Sequence, residues 1–164
     1  MKNISAVNQT SALRDVALVA LLAGVACLVP AMSHIIALPI SALNPMLIVL
    51  VIGMAFLHDR RFGYLLAVAM PVVSCLVTGM PTPLKAVCMI AEFSTVVAVS
   101  SLLISRWKAV PTIFVAIMSG KIAYYTLKAL VFAPAVLIST GWQWQLLSIA
   151  ISVILFSVLV AKKR

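Results

Sequence analysis

Acidic residues are the scarcest class in this sequence, because its 164 residues include only three Asp and Glu against 12 Lys and Arg. Charged residues make up 9% of the chain, whereas a soluble domain carries about 25%. Hydrophobic residues make up 65%, and the mean hydropathy is +1.24. A soluble fold would expose much of that apolar surplus to water, which is rare. The composition therefore excludes a soluble enzyme, a disordered tail and a nucleic-acid-binding module, and it predicts an integral membrane protein.

Motifs for metal, nucleotide and covalent chemistry are also missing. The three cysteines, Cys27, Cys75 and Cys88, lie in apolar runs without a Cys-x-x-Cys pair or a Cys/His cluster, so we predict buried hydrophobic side chains. The sequence has no G-x-x-x-x-G-K-[ST] motif for binding ATP. His34 and His58 are predicted at opposite membrane faces, which disfavours an intramembrane catalytic set. We therefore predict no enzymatic activity, no cofactor and no bound metal.

Six uncharged or nearly uncharged runs predict six transmembrane helices, because about 20 apolar residues cross a bilayer. The second run is short and is predicted to be extended by Leu43 and Asn44. Short connections leave no room for another domain, so residues 1–164 are predicted to form a single all-α transmembrane bundle. The predicted spans are 16–33, 45–57, 62–77, 84–105, 110–132 and 142–161.

The basic residues predict the orientation of the bundle. With the N-terminus inside, nine of the 12 fall in cytoplasmic segments, and only Lys85 falls in an outer one. Because cytoplasmic loops carry an excess of Lys and Arg, we expect both termini in the cytoplasm. The protein is thus predicted to be a multi-pass protein of the cell (inner) membrane. A cleaved signal peptide is disfavoured, since no clean small-x-small site closely follows the first span.

Three charged residues lie within predicted spans, where each charge costs about 2.5–3.5 kcal/mol. Glu92 is in the fourth span, and Lys121 and Lys128 are seven residues apart on one face of the fifth, with Tyr124 on the same stripe. One interpretation is an outward-facing pocket whose surplus positive charge binds a small solute with an anionic group. Another is a structural Glu92–Lys121 ion pair with Lys128 reaching the outer interface. A proton relay through Glu92 is a weaker third.

The outer connections also suggest a binding site. The segment 78–83 breaks the backbone between the third and fourth spans, and such breaks are tolerated near membrane depth only where protein or a cavity covers them. We expect Thr78, Gly79, Met80 and Thr82 to shape the outer rim of the pocket. The apolar first outer loop, residues 34–44, is a candidate gate.

The middle of the chain resembles the substrate-binding S components of energy-coupling factor (ECF) transporters, in the vitamin-type branch that includes folate, pantothenate and riboflavin binders. The resemblance covers about residues 30–130, and Gly120-Lys121 is similar to a Gly-Arg pair of the family. The residues that carry it are Asn44-Pro45-Met46-Leu47-Ile48-Val49, Gly63, Pro71, Ser74, Thr78-Gly79-Met80-Pro81, Ala86, Met89 and Glu92.

The resemblance implies a six-helix subunit that captures a micronutrient outside the cell, together with a transmembrane coupling (T) subunit and two cytoplasmic ATPase subunits. In the family an Ala-x-x-x-Ala motif in the first helix contacts the coupling subunit. The nearest matches here are Ala20-x-x-x-Gly24 and Ala23-x-x-x-Cys27, which keep small residues at that spacing. The substrate is expected to be a small, water-soluble, anionic vitamin or related nutrient, bound by Lys121, Lys128, Glu92 and Tyr124.

Two other classes stay open at this point. A small structural scaffold subunit of a cell-shape machinery has a similar length and needs no outward pocket, so its intramembrane charges would form a closed ion pair. A stand-alone secondary carrier is less favoured, because such carriers usually contain inverted repeats with broken helices. The break at 78–83 has no evident counterpart in the other half of the chain.

Overall fold

The chain folds into six α-helices in a computed structural model that describes the backbone of residues 2–36, 44–132 and 142–163. Side chains are described for residues 11–28, 44–131 and 145–162, and no β-strand occurs within the described backbone. The helices are α1 (Lys2–Ile36), α2 (Pro45–Phe56), α3 (Arg60–Thr78), α4 (Pro83–Leu103), α5 (Ala109–Phe132) and α6 (Trp142–Lys163).

Local sequence signals explain where several helices begin and end. Pro45 and Pro83 begin α2 and α4, at a position where the missing N–H of proline costs nothing. The Asp59 carboxylate accepts the backbone N–H of Arg61 at 2.9 Å and caps α3. Gly79 ends α3 with a φ of 70°, a left-handed conformation that favours glycine.

The structure corrects one predicted helix bound and shows a second helix that extends beyond its predicted span. Asn44 adopts φ 46° and ψ 63°, so α2 begins at Pro45 and is not extended by Asn44; Leu43 lies outside the described residues. The first helix begins at Lys2 and continues to Ile36, although the predicted span covered only 16–33. Polar residues at an end of a span stop its burial in lipid, but they do not stop the backbone from remaining helical.

Five of the helices, α1, α3, α4, α5 and α6, are long and apolar enough to cross a membrane. Helix α2 has 12 residues, which at 1.5 Å per residue reach about 18 Å and fall short of a hydrocarbon core of about 30 Å. The six-span count therefore stays a prediction, whereas the all-helical architecture with several membrane-length helices is that of a multi-pass membrane protein.

The helices form a closed ring in the order α1, α3, α4, α5, α6 and α2, with α2 also contacting α3 and α4. Helix α2 is apolar on all sides, and Leu47, Leu50 and Val51 have no exposed surface. Such a helix belongs in the interior of a bundle. Large apolar side chains point outward from the other helices, among them Leu76 and Leu130, which suits a lipid environment.

The small residues of α1 divide between two faces. Ala23 and Cys27 are buried in the core of the chain itself, with 6% and 7% of their surfaces exposed. Ala20 and Gly24 are exposed, and a Cβ added to Gly24 would meet nothing within 4 Å. Of the four residues predicted to contact a coupling partner, only Ala20 and Gly24 lie on the outer surface of the bundle.

One end of the bundle, here called the basic end, contains the α2–α3 turn, the α4–α5 turn and the last turns of α6. Asp15 of α1 joins it, because its carboxylate accepts the backbone N–H of His58 at 3.0 Å. All the described basic residues at this end are exposed: Arg14, Arg60, Arg61, Arg106, Lys108 and Lys162.

Candidate functional site

A buried ion pair joins α4 to α5. The Lys121 ammonium lies 2.7 Å from Oε1 of Glu92, and the two side chains are 8% and 1% exposed. Glu92 lies nine residues after Pro83, so it is about 14 Å along α4 from the end of the bundle opposite the basic end. A charge this far from water requires a partner, and each residue supplies one to the other. A Glu92–Lys121 ion pair is one of the interpretations that the sequence left open.

Gly120 allows the two helices to approach closely at the ion pair. A Cβ built on Gly120 would lie 2.8 Å from the Glu92 carbonyl oxygen and 2.5 Å from Cγ2 of Val96. Both distances are far below van der Waals contact, and the carbonyl oxygen belongs to a helix backbone that cannot easily move. A side chain at position 120 would therefore push α5 away from α4. Because Gly120 directly precedes Lys121, the glycine is part of the site.

Asn44 connects a third element to the ion pair. Its side-chain amide donates a long hydrogen bond of 3.5 Å to Oε1 of Glu92, the same oxygen that faces Lys121. The left-handed backbone at Asn44, which asparagine tolerates better than most residues, precedes the first turn of α2. The sequence analysis placed Asn44 in a family pattern but not in the site, because 48 residues of chain separate it from Glu92.

Tyr124 lies between the two lysines of α5. The ammonium of Lys121 is 5.9 Å from the centre of its ring and that of Lys128 is 6.0 Å away, within the range of a cation–π contact. The three residues share one face of α5, since they are three, four and seven positions apart. Tyr125 packs edge-on against Tyr124 with ring centres 5.3 Å apart.

We call Asn44, Glu92, Lys121, Tyr124 and Lys128 the polar cluster. The chain has three carboxylates, and the other two, Asp15 and Asp59, belong to the basic end. The polar cluster therefore holds two ammonium groups and one carboxylate, with Lys121 paired to Glu92 and Lys128 half-buried. This arrangement is suited to an anion, which would balance the second ammonium group.

The turn that was predicted to form the rim is held together by its own hydrogen bonds. The Thr78 hydroxyl donates to the Ser74 carbonyl at 2.8 Å, and the Ser74 hydroxyl donates to the Met80 carbonyl at 2.7 Å. Thr78, Gly79, Met80 and Thr82 are all exposed, and the Met80–Pro81 peptide bond is cis. The turn therefore lies at the surface of the end opposite the basic end, and the hydrogen bonds described for Thr78 connect it to Ser74 and Met80.

Asp15 forms a second buried polar site that the sequence analysis did not identify. Its Oδ2 accepts the backbone N–H groups of His58 and Asp59 at 3.0 and 3.2 Å, and the residue is 1% exposed. Arg14 adds a hydrogen bond to the His58 ring. The carboxylate therefore joins α1 to the α2–α3 turn. No spacing rule reveals a contact across 43 residues; the only signal is an acidic residue at the edge of an apolar run.

No metal site is evident in the described part of the chain, where no group of three or more His, Cys, Asp or Glu side chains comes together. Cys27, Cys75 and Cys88 are free thiols. The candidate gate lies largely outside the described residues: 37–43 are not described, and 34–36 belong to α1 instead of a loop.

Comparison with known proteins identifies no relative of this chain. No protein-family model matches the chain, and searches of curated proteins and of solved structures return no match either. The polar cluster therefore has to be interpreted from its own chemistry.

Proposed function

We propose that this protein is the substrate-binding S subunit of an ECF-type importer, which captures a small anionic nutrient such as a vitamin. The observation that carries the proposal is the polar cluster, in which two ammonium groups flank a tyrosine ring and one of them pairs with a carboxylate within an apolar bundle. Intramembrane charges are expensive and mark functional sites by default. The protein itself would bind and release its substrate without catalysis.

The proposed orientation of the protein in the membrane follows from the charges at the two ends of the bundle. The basic end carries six exposed Lys and Arg among the described residues, whereas Lys85 is exposed near the start of α4 at the opposite end. The positive-inside tendency puts the basic end on the cytoplasmic side of the cell (inner) membrane. Glu92 and Lys121 then lie near the middle of the bundle, and Tyr124 and Lys128 lie nearer its outer end, from which a solute could enter.

Substrate contacts are assigned by charge balance within the polar cluster. Lys128 is the first contact for an anionic group, because Glu92 already faces Lys121 at 2.7 Å. Tyr124, between the two ammonium groups, offers a ring face for packing and a hydroxyl for hydrogen bonding. Before the ligand enters, Glu92 and Lys121 pair with each other and hold α4 against α5. When the ligand enters, they exchange partners. The segment 78–82 shapes the outer rim.

The partners of the proposal are a transmembrane coupling subunit and two cytoplasmic ATPase subunits, since the sequence has no ATP-binding motif of its own. The exposed pair Ala20 and Gly24 offers a flat surface on α1 at which another helix could approach closely. Ala23 and Cys27 face the core of the chain and support α1 from within.

The experiment that tests the proposal is identification of small molecules released from the purified protein. The protein is extracted in mild detergent, denatured, and its released solutes are analysed by mass spectrometry against an unrelated membrane protein prepared in parallel. We expect one enriched small anion. Enrichment of a cationic solute, or of none after incubation with cell extract, would contradict the assignment.

A structural scaffold is the second candidate, and one observation favours it: the Glu92–Lys121 pair is closed at 2.7 Å and nearly inaccessible. A scaffold needs this pair only for packing. Replacing both residues by apolar ones of similar size, as in the double variant Glu92→Leu/Lys121→Met, would then preserve its cellular role. Under the S-subunit proposal the same double variant folds but fails to support uptake.

A further inference from the structure

A cleft opens at the basic end of the bundle, between α2, α3, α4 and α6. Its volume is about 90 Å³, well above the roughly 10–15 Å³ that a single water molecule needs. It is separate from the polar cluster: Val97, the lining residue of α4 nearest to Glu92, follows it by five residues, or about 7.5 Å along the helix. Buried Phe93 and Val96 lie between Glu92 and Val97 on α4.

The lining of the cleft is divided between charged or polar groups and apolar groups. Arg60, His58 and Ser101 supply polar groups, whereas Met54, Leu57 and Ile104 supply apolar ones. Arg14 adds positive charge beside the rim through its hydrogen bond to the His58 ring.

The acidic residue of this rim caps a helix. Asp59 lines the cleft, but its carboxylate accepts the backbone N–H of Arg61 at 2.9 Å and caps α3. Buried Asp15 is likewise held by the N–H groups of the α2–α3 turn. The guanidinium of Arg60 is exposed and available to an outside anion.

The surroundings of the cleft are those of a membrane interface. Ile104 is 43% exposed and Trp107, three residues later, is 48% exposed, although both are large and apolar. Tryptophan at such a position is typical of the boundary between headgroups and hydrocarbon. An occupant of the cleft would thus meet the Arg60 guanidinium on one side and lipid-facing apolar surface on the other.

We propose that this cleft binds the headgroup of an anionic phospholipid. The phosphate contacts Arg60 and lies near His58, while the glycerol and the first acyl carbons contact Leu57 and Ile104. A membrane lipid fits better than a soluble anion, because a soluble anion would use only the cationic part of this lining. Basic pockets between transmembrane helices on the cytoplasmic side are known to select such headgroups. Neither substrate capture nor the polar cluster is required for this binding.

The test compares lipid binding by two adjacent arginines. The full-length protein is placed in nanodiscs of phosphatidylcholine, and binding of added phosphatidylglycerol is measured by native mass spectrometry at about 0.15 M salt. Arg60→Gln replaces a charge-assisted hydrogen bond to the phosphate by a weaker neutral one, so we expect it to weaken binding about tenfold or more. Arg61→Gln removes the same charge one residue away but outside the cleft, and we expect less than a twofold change because exposed charges are screened.

Two further arms make the outcome decisive. Ser101→Phe fills the cleft while keeping every basic residue, and it should weaken binding as strongly as Arg60→Gln. Glycerol 3-phosphate, the soluble headgroup, should fail to compete with the lipid at millimolar concentration. Equal losses for Arg60→Gln and Arg61→Gln, unchanged binding by Ser101→Phe, or full competition by glycerol 3-phosphate would each overturn the proposal.

Discussion

Asp15 and Glu92 are both buried carboxylates, each 1% exposed, but their closest partners differ. Asp15 accepts two backbone N–H groups of the α2–α3 turn, with the Arg14 guanidinium and the His58 ring farther away at 4.0 and 3.7 Å. Glu92 faces an ammonium group on the flexible side chain of Lys121. Backbone donors cannot leave their carboxylate without unfolding the turn, whereas a lysine can change partner by rotating. The comparison indicates that the contact of Asp15 with the α2–α3 turn, here called the rigid joint, is fixed, whereas the polar cluster can rearrange.

The largest expected effect comes from breaking the Glu92–Lys121 pair. Lys121→Met leaves the Glu92 carboxylate buried without its cation, which should lower the free energy of unfolding by about 3–5 kcal/mol. Thermal unfolding in detergent measures it. The double variant Glu92→Leu/Lys121→Met should recover most of the loss, because well-packed apolar residues often replace a buried pair at little cost. If the double variant recovers none of the lost stability, the ion pair is not the source of the loss.

A smaller effect is expected at the rigid joint. Asp15→Ala removes the acceptor of two backbone N–H groups, and leaving buried donors unpaired should cost about 1–3 kcal/mol. Asp15→Asn keeps one oxygen that can accept them and should cost less. Chemical unfolding of the three proteins measures the difference, and hydrogen exchange at His58 and Asp59 should accelerate in Asp15→Ala. Unchanged exchange there would contradict the assignment of the joint.

Gly120→Ala sharpens the comparison within the polar cluster. The added methyl group would collide with the Glu92 carbonyl and with Val96, and such overpacking typically costs about 1–3 kcal/mol. Gly24→Ala is the matched control, because its methyl group meets nothing within 4 Å. In a helix interior that change should stabilise by about 0.5–1 kcal/mol. Two unfolding temperatures that move in the same direction would be inconsistent with a close α4–α5 approach.

Lys128→Gln should have the smallest effect on stability, below about 0.5 kcal/mol, since its half-buried ammonium has no carboxylate assigned to it. A glutamine still packs along Tyr124. Unfolding temperatures of this variant and the wild type should therefore agree closely. A loss comparable to that of Lys121→Met would mean that Lys128 is part of the structural ion pair.

The sequence was sufficient to predict six helices and most of their bounds, because apolar runs and helical periodicity are local properties. The Glu92–Lys121 ion pair was one of the interpretations that the sequence left open. The helical residues of α1 before its span were not predicted, and the extension of α2 by Asn44 was wrong, because charge and apolar content do not determine backbone conformation.

Long-range contacts account for what the sequence did not reveal. Asn44 reaches Glu92 across 48 residues and Asp15 reaches His58 across 43, and no pattern in one sequence encodes either pairing. The faces of α1 were equally hidden, since small residues occur on both the buried and the exposed side of the helix.

Ligand occupancy of the polar cluster is the most direct measurement of the central claim. Native mass spectrometry would compare purified wild type, Lys128→Gln and Lys85→Gln; Lys85 is exposed at the start of α4 and serves as the matched charge control. The account predicts that wild type and Lys85→Gln retain the same small anion and that Lys128→Gln loses it. Equal retention by all three proteins, or none in the wild type after exposure to cell extract, would contradict it.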